Sequence, residues 1–423
     1  MTPTRAPLKP LDIALAELLA QVSTLQGVDD VSTFDADGRV LAQNILSSLH
    51  VPPQDNSSMD GYAMRCADVG AAGTVLNVSQ RIPAGSVGTA LQPGTAARIF
   101  TGASIPAGAD AVVMQEECEA LTDANGATGL SQIRVNAVPK SGQWIRRAGE
   151  DVALGTVVLR QGERLTPASL GLAASIGLAT MPVVCRPKVA LFSTGDELVM
   201  PGDIAPQDMP AGSIYNSNRF FLRALLQRLG CVATDMGIVP DDLDATKSAL
   251  RMAAEGHDLI LTSGGVSVGE EDHIKPAVQA LGELNLWQIA IKPGKPFAYG
   301  KVNSASGAAH FIGLPGNPVS SFVTFLLLVR PFLLKLQGVQ DVDQIATKSI
   351  AVRADFTLAK ADKRREFLRV KRNTAGGLDL FANQSSGVLT SAVWGDGLIN
   401  NPSGQTIAVG DMVQFVSFAE LLS

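Results

Sequence analysis

From about residue 188 the chain repeats one pattern: a short apolar run, a turn rich in glycine or acids, then an amphipathic segment. Few folds accommodate that alternation. Residues 188–193 (KVALFS) run into Thr194-Gly195-Asp196-Glu197. Asn216-Ser217 offers an N-cap to a segment whose Leu222, Leu225, Leu226 and Leu229 share one helical face, closed by Gly230. A second strand is predicted over 232–239, ending at Pro240-Asp241-Asp242, with a helix over 243–255 behind it. The strand 259–262 enters Ser263-Gly264-Gly265, a short helix follows over 273–281, and WQIAIKPGKPFAYG and HFIGLPGNP supply further strands. This rhythm predicts a mostly parallel sheet with helices on both faces, in which ligands bind beyond the carboxyl ends of the strands.

The flanks differ. Beyond about 337, KSIAVRADFTL, REFLRVKRN, LDLFANQ and MVQFVSF are short alternating segments separated by Gly, Asn and Ser, which predicts a small β-barrel or sandwich. The N-terminal part reads as a helix over 11–26, then loop-rich chain around Pro52-Pro53. Short β segments follow to about 140, and Thr166 and Pro167 suit the N-cap and N1 of a helix over 166–176.

Composition narrows the function classes. A chain of 423 residues exceeds one ordinary core, so two to four domains are expected. Net charge is −6 without a long basic block, which argues against nucleic acid as a partner. Any anionic ligand must then be held by local cations or a metal. Cys66, Cys118, Cys185 and Cys231 show no zinc spacing and read as reduced thiols. The longest apolar stretch, 322–329, stops at Arg330-Pro331, well short of the ~20 residues of a membrane span. These features predict a cytoplasmic chain with no membrane partner.

The strand ends carry the chemistry. Ser263, Gly264 and Gly265 let backbone N–H groups approach an anion closely. Yet Glu270, Glu271 and Asp272 follow at once. Unit charges ~4 Å apart interact by about 4 kcal/mol at an effective dielectric near 20, so such acids would repel a phosphate. Magnesium resolves the conflict, with carboxylates on one side and phosphate oxygens on the other. Taken singly, Asp241, Asp242, Glu270 and Glu271 fit turns or caps equally well. Glu197 and Asp272 follow glycine-containing strand-end turns. Lys292-Pro293-Gly294-Lys295-Pro296 is a stiff turn presenting two ammonium groups to an oxyanion, or else an exposed hairpin end. Leu314-Pro315-Gly316-Asn317-Pro318 reads as a helix start with Asn317 at the N-cap and Ser320 and Ser321 in the first turn.

Together the stretches PPQDNSSMDGYAM (52–64), RIFTGASIPAGADAVV (98–113), RRAGEDV (146–152), LFSTGDEL (191–198), SGGVSVGEED (263–272), IKPGKPFAYG (291–300) and GLPGNPVSSF (313–322) resemble the molybdopterin molybdenumtransferase family. This family comprises the MoeA proteins and the C-terminal domain of gephyrin. The resemblance implies an elongated multidomain α/β plus β subunit. Residues 1–50 and 145–183 would form an N-terminal α+β dimerisation region, and 51–144 an inserted β-rich domain. Residues 184–336 would form a three-layer α/β molybdopterin-binding-type domain, and 337–423 a small C-terminal β-barrel.

It implies insertion of molybdate into adenylylated molybdopterin with magnesium, giving molybdenum cofactor and AMP. The enzyme would be a homodimer whose cleft lies between the α/β domain of one subunit and the Asp60- and Thr101-bearing loops of the other. Carried over position by position, Glu197, Asp241 and Asp272, joined by Asp60 and Asp151, would place magnesium and water. Ser263, Gly264, Gly265 and the Asn317 helix start with Ser320 would hold phosphate. Lys292, Arg364 and Ser385 match positions associated with molybdate, and Lys295 is the adjacent phosphate candidate. The chain departs from the family at Gln54, commonly aromatic, and at Gln288, a place that can carry lysine, which thins the positive lining by one charge. A contact with the adenylyltransferase that makes the substrate is a further expectation. An adenylyltransferase activity, because the α/β module is shared, and a gephyrin-type scaffold are the alternatives.

Overall fold

The computed structural model describes residues 8–121, 132–265, 273–305, 307–340, 342 and 348–422. Its centre is a six-stranded sheet. Strands Val232–Val239, Lys188–Thr194, Leu259–Ser263 and Gly307–Leu314 lie side by side in parallel. Pro296–Ser304 and Gly282–Gln288 extend one edge antiparallel, so the sheet is mixed rather than wholly parallel. The reason is local: the connection from Ser304 to Gly307 is too short for a crossover and can only reverse the chain.

The period-2 geometry of the strands sorts their side chains between two cores. Val189, Leu191, Leu259, Leu261, Ile312 and Leu314 face the helices Ser217–Arg228 and Pro318–Leu336. Ala190, Phe192, Ile260 and Phe311 face the helices Leu243–Ala254 and Ile274–Leu281 on the other side. Asp242 caps Leu243–Ala254, its carboxylate accepting from the N–H groups of Asp244 and Ala245. Pro318–Leu336 is long and apolar enough to cross a membrane by length and composition alone, but 89% of its apolar 18-residue window is buried inside the protein. It contains a π-helical turn, Phe325–Val329. Pro331 explains that turn, because it lacks the N–H and crowds the carbonyl four residues back.

The N-terminal helix is Leu11–Ala20, shorter than the 11–26 the apolar spacing predicts. Val22-Ser23-Thr24 favour helix poorly, and the N–H of Leu25 donates to the carbonyl of Leu336 instead. The helix buries Leu11, Leu15, Leu18 and Leu19 in the same core as Pro318–Leu336 and the C-terminal Phe418 and Leu421. A second six-stranded sheet spans Gly61–Met64 to Gln132–Val135, with its own small cores. A third runs Ile291–Lys292, Arg365–Arg372, Gly397–Asn401, Met412–Ser417 and Ile350–Arg353, with Leu378–Leu380 pairing Arg365–Arg372. A bridge from Ala354 to Leu378 brings the last of these strands back towards Leu378–Leu380. Ile291–Lys292 therefore leaves the central sheet to join the C-terminal one.

Candidate active site

The Lys292–Pro296 turn leads into the start of the antiparallel strand Pro296–Ser304, whereas the turns that begin at Thr194, Asp241, Ser263 and Leu314 sit at the carboxyl ends of the four parallel strands. There a cleft of about 550 Å³ is lined by Thr194, Gly195, Glu197, Asp241, Ser263, Gly264, Gly265, Asn317 and Ser320, among others. Its floor needs glycine. Gly264 and Gly265 have φ of +97° and +67°, and a β-carbon on Gly265 would fall 2.5 Å from Cγ1 of Ile274 and 2.9 Å from the Thr194 hydroxyl. The N–H of Gly264 donates to the carbonyl of Leu314 at 3.0 Å, tying two strand ends together. Asn218 completes the link: its amide donates to Ser263 Oγ at 2.8 Å and to the Gly316 carbonyl at 2.7 Å.

Buried polar atoms in native proteins almost always have partners. In this cleft Thr194 Oγ1, Asn216 Nδ2 and Asn218 Oδ1 have none in the described structure. Such orphans beside glycine turns mark a place for a polar ligand. A larger cavity, about 710 Å³, opens at the opposite end of the same strands beside Lys188, Asp258 and His310. It has neither the glycine turns of the strand ends nor orphaned side chains.

Asn216 does cap its helix, accepting from the N–H of Arg219. Asn317 occupies the expected N-cap position with Pro318 at N1, but its side chain makes no capping bond and lines the cleft instead. Glu270, Glu271 and Asp272 lie outside the described residues. Among the described residues no group of three His, Cys, Asp or Glu could hold a metal by itself. Among the described residues, Glu197 and Asp241 are the carboxylates lining the cleft.

The polar loops of the N-terminal half are knitted to one another. Asp60 accepts from both the N–H and the hydroxyl of Thr101 at 2.8 Å each, and these bonds, the backbone one foremost, hold its carboxyl below the usual range. Asp55 accepts from the Ala148 N–H at 2.9 Å and from Arg147 at 2.6 Å, joining a third loop to the other two. Asp151 is exposed, its N–H donating to the Val51 carbonyl. Within one chain, none of Asp60, Thr101 and Asp151 lines the cleft.

The cations of the stiff turn are not both free. Lys292 lies 3.0 Å from Glu366 and 3.2 Å from Asp362. Burial works against its charge, but the hydrogen bonds to the two carboxylates outweigh that and raise its pKa. Arg364 grips the same Asp362 through Nε and Nη2 at 3.1 Å each. Lys295 has no side-chain partner among the described residues, and its carbonyl accepts from the Ile289 N–H. The Ser385 carbonyl accepts from Arg369, and the neighbouring Ser386 carbonyl accepts from the N–H of Val319 at the helix start. Gln54 bonds Ser104, and Oε1 of Gln288 is buried without a partner.

With this geometry in hand, comparison with known proteins is decisive. Residues 9–177 match the MoeA N-terminal region (domain I and II), 190–335 a probable molybdopterin binding domain, and 351–418 the MoeA C-terminal region (domain IV). The molybdopterin molybdenumtransferase of Haemophilus influenzae is 44% identical over 329 residues, 78% of each chain. The chain belongs to the molybdopterin molybdenumtransferase family. Molybdopterin molybdenumtransferase 2 of Mycobacterium tuberculosis is 36% identical over 392 residues, 90% of this chain and 92% of that one. The crystal structure of a molybdopterin biosynthesis MoeA protein from Pyrococcus horikoshii covers 97% of this chain and 100% of its own, with a TM-score of 0.82 at 28% identity. The multidomain, sheet-rich α/β architecture is thus that of the MoeA proteins, and the chain is a transferase of molybdenum cofactor biosynthesis. The whole cleft falls within the molybdopterin-binding match, Asp60, Thr101 and Asp151 within the N-terminal one, and Arg364 and Ser385 within the C-terminal one.

Proposed function

We propose that this chain inserts molybdate into adenylylated molybdopterin in a magnesium-dependent reaction that releases AMP. The observation that carries this reading is the cleft itself: a glycine floor at Ser263-Gly264-Gly265, orphaned polar atoms, and Glu197 and Asp241 on its lining. Magnesium suits these residues, because it takes one or two carboxylates together with substrate phosphates and water rather than an all-protein cage. Glu197 and Asp241, joined by Asp272, would hold it. When bound it supplies charge neutralisation at the phosphate linkage. The glycine floor, Asn317 and Ser320 orient the linkage, Lys295 faces a phosphate oxygen, and Lys292, Arg364 and Ser385 receive molybdate.

The cleft is completed in a homodimer. Asp60 and Thr101 of a partner subunit would close it, with Asp151 as a further carboxylate, which accounts for their distance from the cleft of their own chain. The same reading divides the chain into 1–50 with 145–183, 51–144, 184–336 and 337–423; a smaller apolar core within each part supports it, while the helix Leu11–Ala20 and the C-terminal Phe367, Leu398 and Phe418 join a larger core that crosses those bounds. The adenylylated pterin would be handed over by contact with its adenylyltransferase.

The test is AMP release from adenylylated molybdopterin, with magnesium and with or without molybdate. Molybdate-stimulated release, with molybdenum retained in the pterin product and loss of activity on chelation, is the expected result. AMP that stays on the pterin under every condition would refute the reading.

A further inference from the structure

The two cations assigned to molybdate are already neutralised by this chain's own acids. One carboxylate, that of Asp362, is shared between them: it lies 3.2 Å from Lys292 Nζ, accepts from Arg364 Nε and Nη2 at 3.1 Å each, and accepts from the Arg364 N–H at 2.9 Å. Glu366 supplies the second acid, 3.0 Å from Lys292. Two positive and two negative side chains leave the cluster with no net charge to attract an anion. We propose that Asp362 is an internal counter-anion that holds the Lys292–Arg364 pair until a tetrahedral oxyanion displaces it, so that it sets the affinity and selectivity of oxyanion capture.

Of the two acids, only Asp362 is built to leave. The Glu366 side chain is 4% exposed and sits within Arg365–Arg372, directly opposite Lys292 in the parallel ladder. Its second oxygen is buried without a partner, so releasing it would strand a buried charge. Asp362 precedes that strand, and its side chain is 21% exposed, so a released carboxylate finds water. The Gly404 N–H donates to the Asp362 carbonyl at 2.8 Å, which pins the backbone while the side chain rotates. Selectivity follows from charge. A monoanion brings no more charge than the carboxylate it must replace, whereas a dianion such as molybdate does. The vacated cations would lie beside the cleft, because Pro296 of the same turn lines it.

This inference takes the identity of the oxyanion from the function proposed above, but its test needs no pterin. Isothermal titration of the full chain with molybdate, and separately with tungstate, is compared between wild type and Asp362→Asn. The variant is expected to bind each roughly tenfold more tightly, since it removes the competing charge from a pair of half-exposed ionic contacts. Unchanged or weaker binding by a variant that melts like wild type overturns the proposal. If Asp362→Asn fails to fold, a crystal structure of the wild type soaked in tungstate decides. An anion between Lys292 and Arg364 with Asp362 turned away supports the device; Asp362 still bridging both cations refutes it. A wild type that releases no AMP yet passes these binding tests would sink the insertase reading alone.

Discussion

At the scale of single residues, the cleft depends on atoms that carry no charge. Gly265 is held at φ +67° between Ile274 and Thr194. Gly265→Ala is expected to lose about 1–3 kcal/mol of stability from the left-handed backbone and the clash, and to abolish AMP release. A urea midpoint unchanged from wild type would contradict this account of the floor. Asn218 bridges Ser263 Oγ and the Gly316 carbonyl, so Asn218→Ala leaves buried acceptors unpaired. It should destabilise by about 1–3 kcal/mol and raise KM for the adenylylated substrate, measured by chemical denaturation and steady-state AMP release. Neither Asn218 nor Asp362 stands out in the sequence. Asn218 sits inside a helix start where Asn216 already explains the cap, and Asp362 lies among charged residues just ahead of the alternating segment REFLRVKRN, where nothing local marks it from its neighbours. Asn218 meets Ser263 from 45 residues away, and Asp362 joins its near neighbour Arg364 to Lys292, 70 residues distant in the chain.

At the scale of elements, sequence periodicity was a good guide wherever burial is one-sided or complete. Leu259–Ser263, buried throughout, and the Asp242-capped helix lie where the pattern places them. The antiparallel edge was not visible, because alternation reports which faces are buried and not the direction of the neighbour. That edge makes a testable pH device. The His310 imidazole on Gly307–Leu314 bonds the Tyr299 hydroxyl at 2.9 Å and meets Phe332 edge-on, and burial, then Lys301, pushes its pKa down to about 4. The unfolded chain takes up this proton near pH 6.5, the folded chain only near 4. Stability is therefore untouched by this group above about pH 6.5 and declines as pH falls from there to 4, by up to about 3 kcal/mol. In His310→Gln that part of the slope should flatten. Equal slopes for both proteins in thermal melts across this range would discount the histidine.

At the scale of the whole molecule, one apolar core gathers the N-terminal helix, the central sheet and the C-terminal Phe367, Leu398 and Phe418. Arg365 adds a polar tie, pairing with Asp12 at 2.9 Å. The ends of the chain are thereby set against the sheet that bears the cleft, while the loop cluster around Asp60 and Thr101 stands off it. A shared cleft makes a prediction about mixtures. Asp60→Ala and Asp241→Ala should each fold normally and be inactive as pure proteins. Refolded or co-expressed together, they should regain about a quarter of wild-type AMP release, because half the dimers are mixed and each of those has one intact cleft. Mixtures as inactive as their parents would rule out a cleft built from two chains.

The sequence by itself determined the strand–helix alternation, the placing of glycines and acids at strand ends, and the family. Those depend on periodicity, turn chemistry and a run of local motifs, all of which are encoded within a few residues of where they act. Only the tertiary structure decided that two strands of the sheet reverse, that Ile291–Lys292 crosses to the C-terminal sheet, and that Asp362 and Glu366 close on Lys292. The cause is physical. An ion pair or a hydrogen bond requires atoms to meet in space, and residues 292 and 362 are neighbours only because Ile291–Lys292 pairs with the strand that begins at Arg365.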